Sequence, residues 1–283
     1  MRIFSSSCLY IIPIVITIML LQSKSIFSLT SRALLGKRIH RKALWRMLWG
    51  SNSSQLPIQR IYDKLETVNS SEAHKIANDP SKATSISIDD CIEDMKGISL
   101  KDIGLTRETL NRVNDNICMN ICSSPCYHVA VFIIPKGKSL PLHDHPGMMV
   151  LSSIISGKLH VREFTVTSEC ESTSAVKSLS AKLSTDCVRD RGDAWYLSAC
   201  ENNIHELTAL ENTAVFDVLL PPYKEPQRSC TYYTISKNVG RKSSRGSREK
   251  LEIGEDVILR ETDEPPGQLP YGVQYTGYRP TAN

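Results

Sequence analysis

Between Gly137 and Gly157 the chain reads GKSLPLHDHPGMMVLSSIISG, and no other stretch restricts the fold as much. In extended backbone, residues two apart point to the same face. His143 and His145 therefore converge on one point, while Asp144 between them points away. Pro141 and Pro146 bracket the pair and stiffen the backbone. Gly137 and Gly157 stand where turns are expected. Two neutral imidazoles aimed at one point provide half or more of a transition-metal site. Alone, the same pair also fits two partly exposed histidines on a strand.

The surrounding pattern is β. Val129 to Pro135 is an apolar run ended by a Pro-Lys-Gly turn. After the histidine strand, Met149 to Ile155, Lys158 to Val166, Ala194 to Leu197, Ile204 to Leu210 and Thr213 to Leu220 read as further strands, and Pro221-Pro222 ends the last. Several short strands separated by turns predict a barrel or a sandwich. In Lys158 to Val166, His160 shares a face with Lys158 and Arg162, which places it on the solvated side. Ser168 to Ser184 is serine-rich with little apolar periodicity and is expected to be a surface loop.

Upstream the spacing changes. Pro57 to Val68 has apolar residues at Ile58, Ile61, Leu65 and Val68, a helical repeat with proline in the first turn. Asn69 to Ser87 is polar and reads as loop with a short helix. Ile98 to Leu105 and Thr106 to Val113 read as helical, with Thr106 a candidate cap. Downstream, Lys237 to Lys250 is a basic flexible loop. Glu255 to Asn283, rich in Pro, Gly and Tyr, is expected to wrap the barrel as an irregular tail. The implied division is 1–50 targeting or anchor segment, 51–126 helical extension and linker, 127–235 barrel core, and 236–283 loop and tail.

At 283 residues the chain can bury a sizeable core. The formal net charge of +4 is local in origin. All nine basic residues up to Tyr62 precede the first acid, Asp63, and the remainder is slightly acidic, so no nucleic-acid partner is expected. Residues 8–21 form an apolar run, short for a full span, which extends over 8–29 only by burying Lys24, and the following segment is basic. That order is compatible with membrane anchoring and, by the positive-inside rule, a domain facing the cytoplasm. A mitochondrial presequence, a secretory signal, or a true start at Met47 fits the same segment. Nine cysteines, an odd number at scattered positions, argue for a reducing compartment rather than a disulfide framework. Cys118, Cys122 and Cys126, with His128 behind them, have some metal-site character. They lack the usual C-x2-C pairing and a distant partner pair, so they are read as ordinary residues in a loop entering the Val129 strand.

Four blocks together resemble one family, the plant cysteine oxidases and animal 2-aminoethanethiol (cysteamine) dioxygenases. They are IPKGKSLPLHDHPGM (134–148), NNIHELTA (202–209), FDVLLPPY (216–223) and SCTYY (229–233). The resemblance implies a mainly β fold, a cupin double-stranded β-barrel with N-terminal helices. It implies Fe(2+) held by His143, His145 and His205. The usual cupin motif carries Glu where this chain has Val150, so the protein supplies no negative charge to the metal and an anionic thiolate can do so. Asp217 is the expected acid near the active site. Cys230 and Tyr232 flank Thr231 and are candidates to interact at the site, and Tyr223 is expected to close the barrel mouth. Cys200 and Glu201 depart from the Pro and Gly of the second cupin motif, which puts the loop before His205 in question. The implied reaction adds O2 to the sulfur of 2-aminoethanethiol or of an N-terminal cysteine on a peptide or protein, giving a sulfinic acid. With a protein substrate, that makes an oxygen-dependent switch on protein lifetime. A monomer is expected. The rival readings are a cupin with another metal and different chemistry, and a non-catalytic cupin binding module.

Overall fold

The computed structural model describes residues 56–169, 177–236 and 251–281. The N-terminal apolar and basic segment, the 51–54 linker, part of the 168–184 stretch and the basic 237–250 run lie outside them. Among the described residues of the unit Ser54–Asn283, four short α-helices and a 3-10 turn (Pro80–Lys82) precede twelve strands: α1 (Pro57–Leu65), α2 (Ser70–Asn78), α3 (Ile88–Lys96), α4 (Arg107–Asn111), then β1 (Ile117–Ser123), β2 (His128–Ile134), β3 (Ser139–Asp144), β4 (Met149–Ser156), β5 (Lys158–Glu169), β6 (Ser178–Asp190), β7 (Ala194–Leu197), β8 (Ile204–Ala209), β9 (Thr213–Leu220), β10 (Tyr233–Ser236), β11 (Asp256–Glu261) and β12 (Tyr271–Val273). No described helix is long and apolar enough to cross a membrane.

The strands form two six-stranded sheets, ordered β12-β1-β2-β9-β4-β7 and β10-β11-β6-β5-β8-β3. Alternation assigns the faces of the first sheet. Val131, Leu151, Phe216 and Val218 point outward into a core shared with Ile58, Ile61, Leu65, Ile76 and Met95 of the helices. Ile134, Ile154 and Val215 point inward and meet Leu159, Val161 and Leu207 of the second sheet. The two sheets thus enclose one interior, a double-stranded β-barrel with a helical layer on one side. Helices outside and barrel inside bury both faces of β4 and β9 completely. At about 25 cal/mol per Å² of apolar surface, this two-sided burial is the main stabilising term. Gly157 ends β4 with φ 93°, and a side chain there would collide with Asn212 and Thr213.

The local chemistry explains the helices. Proline opens α1, Asn69 caps α2 by accepting from Glu72 N, and Thr106 and Thr109 form a reciprocal capping box on α4.

Four expectations are corrected. Ser178 to Ser184 belongs to β6, whose Ala181 and Leu183 pack on the outer face of the second sheet with Phe164 and Leu259. The strand is mostly polar because its other positions face solvent, so serine content misled. Ile98 to Leu105 is a series of turns, while α3, which was not anticipated, has Ile88, Cys91 and Met95 buried on one face. Cys118 and Cys122 lie on β1 rather than in a loop. The C-terminal region is more than an irregular tail, because β11 joins the second sheet beside β6 and β12 pairs in parallel with β1.

Candidate metal centre

β3 and β8 lie side by side in the second sheet, with His143 directly opposite His205. His145 follows one residue after the end of β3. The side chain of Asn203 holds it there: its Oδ1 accepts from His145 N at 3.2 Å, and its Nδ2 donates to His145 O at 2.7 Å and Ser198 O at 3.0 Å. Before Asn203 the chain turns at Asn202, with φ 58°. Asparagine tolerates the left-handed region better than most residues. The unusual Cys200-Glu201 loop thus still delivers His205.

The three imidazoles face one another. Their ring centroids are 4.7–4.9 Å apart, and one nitrogen from each lies within 4.8 Å of the other two. His145 Nε2 and His205 Nε2 are 3.1 Å apart. Among the described residues this is the one group of three or more His, Cys, Asp or Glu with metal-holding geometry, and it contains no carboxylate.

Hydrogen bonding fixes two of the three tautomers. His143 Nδ1 lies 2.7 Å from the carbonyl of Pro141, which can only accept, so Nδ1 carries the proton and Nε2 keeps its lone pair. Tyr223 Oη donates to the Asp144 carbonyl at 2.6 Å, so at 2.8 Å it can only accept from His145 Nδ1. His145 Nε2 is therefore also bare. Burial lowers the pKa of all three histidines, and for His145 and His205 the neighbouring imidazoles lower it further, well below the ordinary range. Neutral rings with inward lone pairs are what a divalent ion requires. Two nitrogens bound at right angles about 2.1 Å from one ion stand about 3 Å apart. The donor set therefore fits a metal ion.

Asp144 does point away from the histidines, and it has a task there. Thr231 N donates to its Oδ1 at 2.8 Å, Tyr233 Oη donates to its Oδ2 at 3.0 Å, and its own N–H donates to Thr231 O at 3.1 Å. This clip brings the 229–233 block to the site. The Tyr232 ring centre lies 6.1 Å from that of His143, and the Cys230 thiol sits between the hydroxyls of Tyr223 and Tyr232. Tyr223 packs over the apolar group Met148, Val150, Leu197 and Leu219, so the position that usually carries Glu is part of a dry wall.

Asp217 lies mid-strand on β9, between Ala130 and Ser152, pointing into the barrel. It is 5% exposed, its Oδ1 has no hydrogen-bond partner, and burial pushes its pKa up to about 7. It does not join the histidine cluster. His160 lies on the outer face, paired with Asp186 at 2.5 Å, and is not a ligand. Sequence reasoning missed Asn203 and Glu163. The first showed only as a neighbour of His205. The second, an acid in an apolar alternation, could have been found by its odd-numbered phase with Leu159 and Val161.

A double-stranded β-barrel with three inward, neutral histidines and no acid among them defines a metal-binding cupin. The chain belongs to the PCO_ADO family, whose profile matches residues 76–279. It is 30% identical over 163 residues to plant cysteine oxidase 1 of Arabidopsis thaliana, covering 50% of this chain and 52% of that protein. It is 25% identical over 168 residues to human 2-aminoethanethiol dioxygenase, covering 52% and 61%. The chain thus spans about half of the curated relatives it matches. A Klebsiella pneumoniae protein with a double-stranded β-helix domain aligns over 45% of this chain and 88% of its own, at 13% identity and TM-score 0.32.

Proposed function

We propose that this chain is an iron(II) thiol dioxygenase acting on 2-aminoethanethiol, on an N-terminal cysteine, or on both. One observation carries the reading: three neutral imidazoles share a metal site in which the protein places no carboxylate. The names of the relatives, cysteine oxidase and 2-aminoethanethiol dioxygenase, support the substrate class.

The balanced reaction is RSH + O2 → RSO2H, with sulfur oxidised and both oxygen atoms retained. His143, His145 and His205 would hold iron(II), which would supply the redox chemistry that joins O2 to the sulfur. The chain's own residues do the rest. Pro141 and Tyr223 keep two rings in the metal-binding tautomer. The Met148–Val150–Leu197–Leu219 wall excludes water from the sulfur's surroundings. Asp217 faces the same interior with an unpaired oxygen and is suited to hold the substrate's ammonium, two carbons from its thiol. A pKa near 7 means that a bound ammonium also decides the charge of Asp217. Tyr232 and Cys230 line the His143 side.

Oxygen uptake by anaerobically iron-loaded protein tests the proposal, with 2-aminoethanethiol and a Cys-initiated peptide offered separately. Uptake with one or both, and a sulfinic acid product heavier by two oxygen atoms, is expected. No thiol-stimulated uptake with either would sink the dioxygenase reading and leave the other cupin chemistries.

A further inference from the structure

Two of the three histidines have an Nδ1 partner, Pro141 O for His143 and Tyr223 Oη for His145. His205 Nδ1 is buried and has none. On β5, directly across the ladder from His205, stands Glu163. The phase of the strands places both side chains inside the barrel, because their neighbours Phe164 and Ile204 lie together in the outer cluster. Opposed residues of an antiparallel pair have Cβ atoms about 5 Å apart.

Glu163 is 1% exposed and lies inside the barrel, where Asp217 is the other buried acid. Its carboxyl is approached by Thr185, Arg189 and Trp195. Thr185 is its cross-strand neighbour on the β6 side, opposite to β8. Arg189 is stacked 4.4 Å over the Trp195 ring. Glu163 Oε1 nevertheless has no hydrogen-bond partner. A buried polar atom left unpaired is costly and calls for an explanation. Arg189 Nε and Trp195 Nε1 are unpaired as well, but only the atoms of Glu163 and His205 stand on directly facing residues, one a ring nitrogen that must donate if the ring is to bind metal, the other an oxygen that can accept.

We propose that Glu163 is the positioning residue of the third ligand, its Oε1 accepting the Nδ1–H of His205, directly or through one water, when a metal is held. The proposal rests on the three histidines being the metal site. The carboxylate would act on the ion through the imidazole, fixing the tautomer and raising the basicity of Nε2. Negative charge is then withheld from the metal's own coordination positions, which stay open to a thiolate, and kept one imidazole away.

The test compares Glu163→Gln, which keeps an acceptor oxygen, with Glu163→Leu, which removes it at similar volume. The metal affinity of the whole chain is measured by competition dialysis with cobalt(II) and iron(II), and the fold by thermal melting. Expected is about 10–100-fold weaker binding for the Leu variant and substantial rescue by Gln. The visible cobalt(II) spectrum should shift in Leu and stay near native in Gln. Native affinity in the Leu variant, or equal losses in both, overturns the proposal. Should the Leu variant fail to fold, the Nδ1 proton of His205 is followed by NMR in zinc-loaded protein. A resonance that Glu163→Gln leaves unmoved overturns the proposal as well. His205→Ala separates the two readings. If it retains native metal content, the histidine site itself falls. If it loses the metal while Glu163→Leu binds normally, only the role of Glu163 falls.

Discussion

The helical layer and the barrel interior treat a buried carboxylate in opposite ways. Glu72, in the first turn of α2, is 6% exposed, and its Oε1 accepts from Thr84 N at 2.7 Å, Thr84 Oγ1 at 3.0 Å and Ser85 N at 2.6 Å. The Ser85 and Thr84 amides pull its pKa down to about 2 against the opposing effect of burial. In the barrel, Asp217 and Glu163 are as well buried, yet each has an oxygen without a partner and burial raises the pKa of both. The layer that only has to stand satisfies its acid. The interior that has to receive something leaves its acids unmatched. Among the three buried acids of the described residues, an unpaired oxygen therefore separates the two of the barrel from the one of the helical layer.

The sharpest way to break this contrast is at the histidines. If the site holds iron(II) as proposed, His145→Ala should reduce bound iron to near zero, a loss exceeding the roughly 10–100-fold expected from removing an outer partner, with the melting temperature little changed. Metal analysis beside a melting curve checks it, and normal iron content would end the site assignment. Next in size is Glu72→Ala, which leaves two amides and a hydroxyl without their acceptor and should cost about 3 kcal/mol at pH 7 by denaturant titration. The sign follows from the lowered pKa. The contribution of Glu72 is present above its unfolded value of 4.5 and is lost as pH falls toward about 2, so the deficit should shrink across that window. Metal affinity should not move. Asp217→Asn should do the reverse. Folding holds a proton on Asp217, so its contribution is full below 3.8 and lost as pH rises through about 7. The variant should therefore be more stable than the native chain at pH 8, by at most the ~4 kcal/mol that a shift from 3.8 to about 7 represents, with no gain near pH 3. If Asp217 holds the substrate's ammonium, the same variant should bind 2-aminoethanethiol more weakly. A stability gain that is flat with pH would show that Asp217 is not the buried acid described.

Much of the barrel was legible because its signals are local. His143 and His145 share a face by simple alternation, and the runs before and after them end at Pro, Gly or Ser turns. His205 was not local. Its link to the pair came from the order of four blocks, since no spacing rule joins residues sixty apart. The strand β6 was missed because its apolar positions, Ala181 and Leu183, only count once Phe164 and Leu259 are known to lie beside them. Helix α3 was missed although its phase was present in Ile88, Cys91 and Met95, three residues too few to stand out against a polar background. Asn203 and Glu163 were hidden for another reason. Each acts through a partner distant in sequence, and a single sequence records the residue but not which distant residue lies beside it.

Asp144 is tied behind the strand by three hydrogen bonds to Thr231 and Tyr233. These bonds fix the backbone between the two histidines, while Pro141 and Tyr223 hold the rings themselves. The cage is thus braced from its rear by groups that never meet the ion. A chain stripped of its metal should keep the cage's shape and need only be refilled.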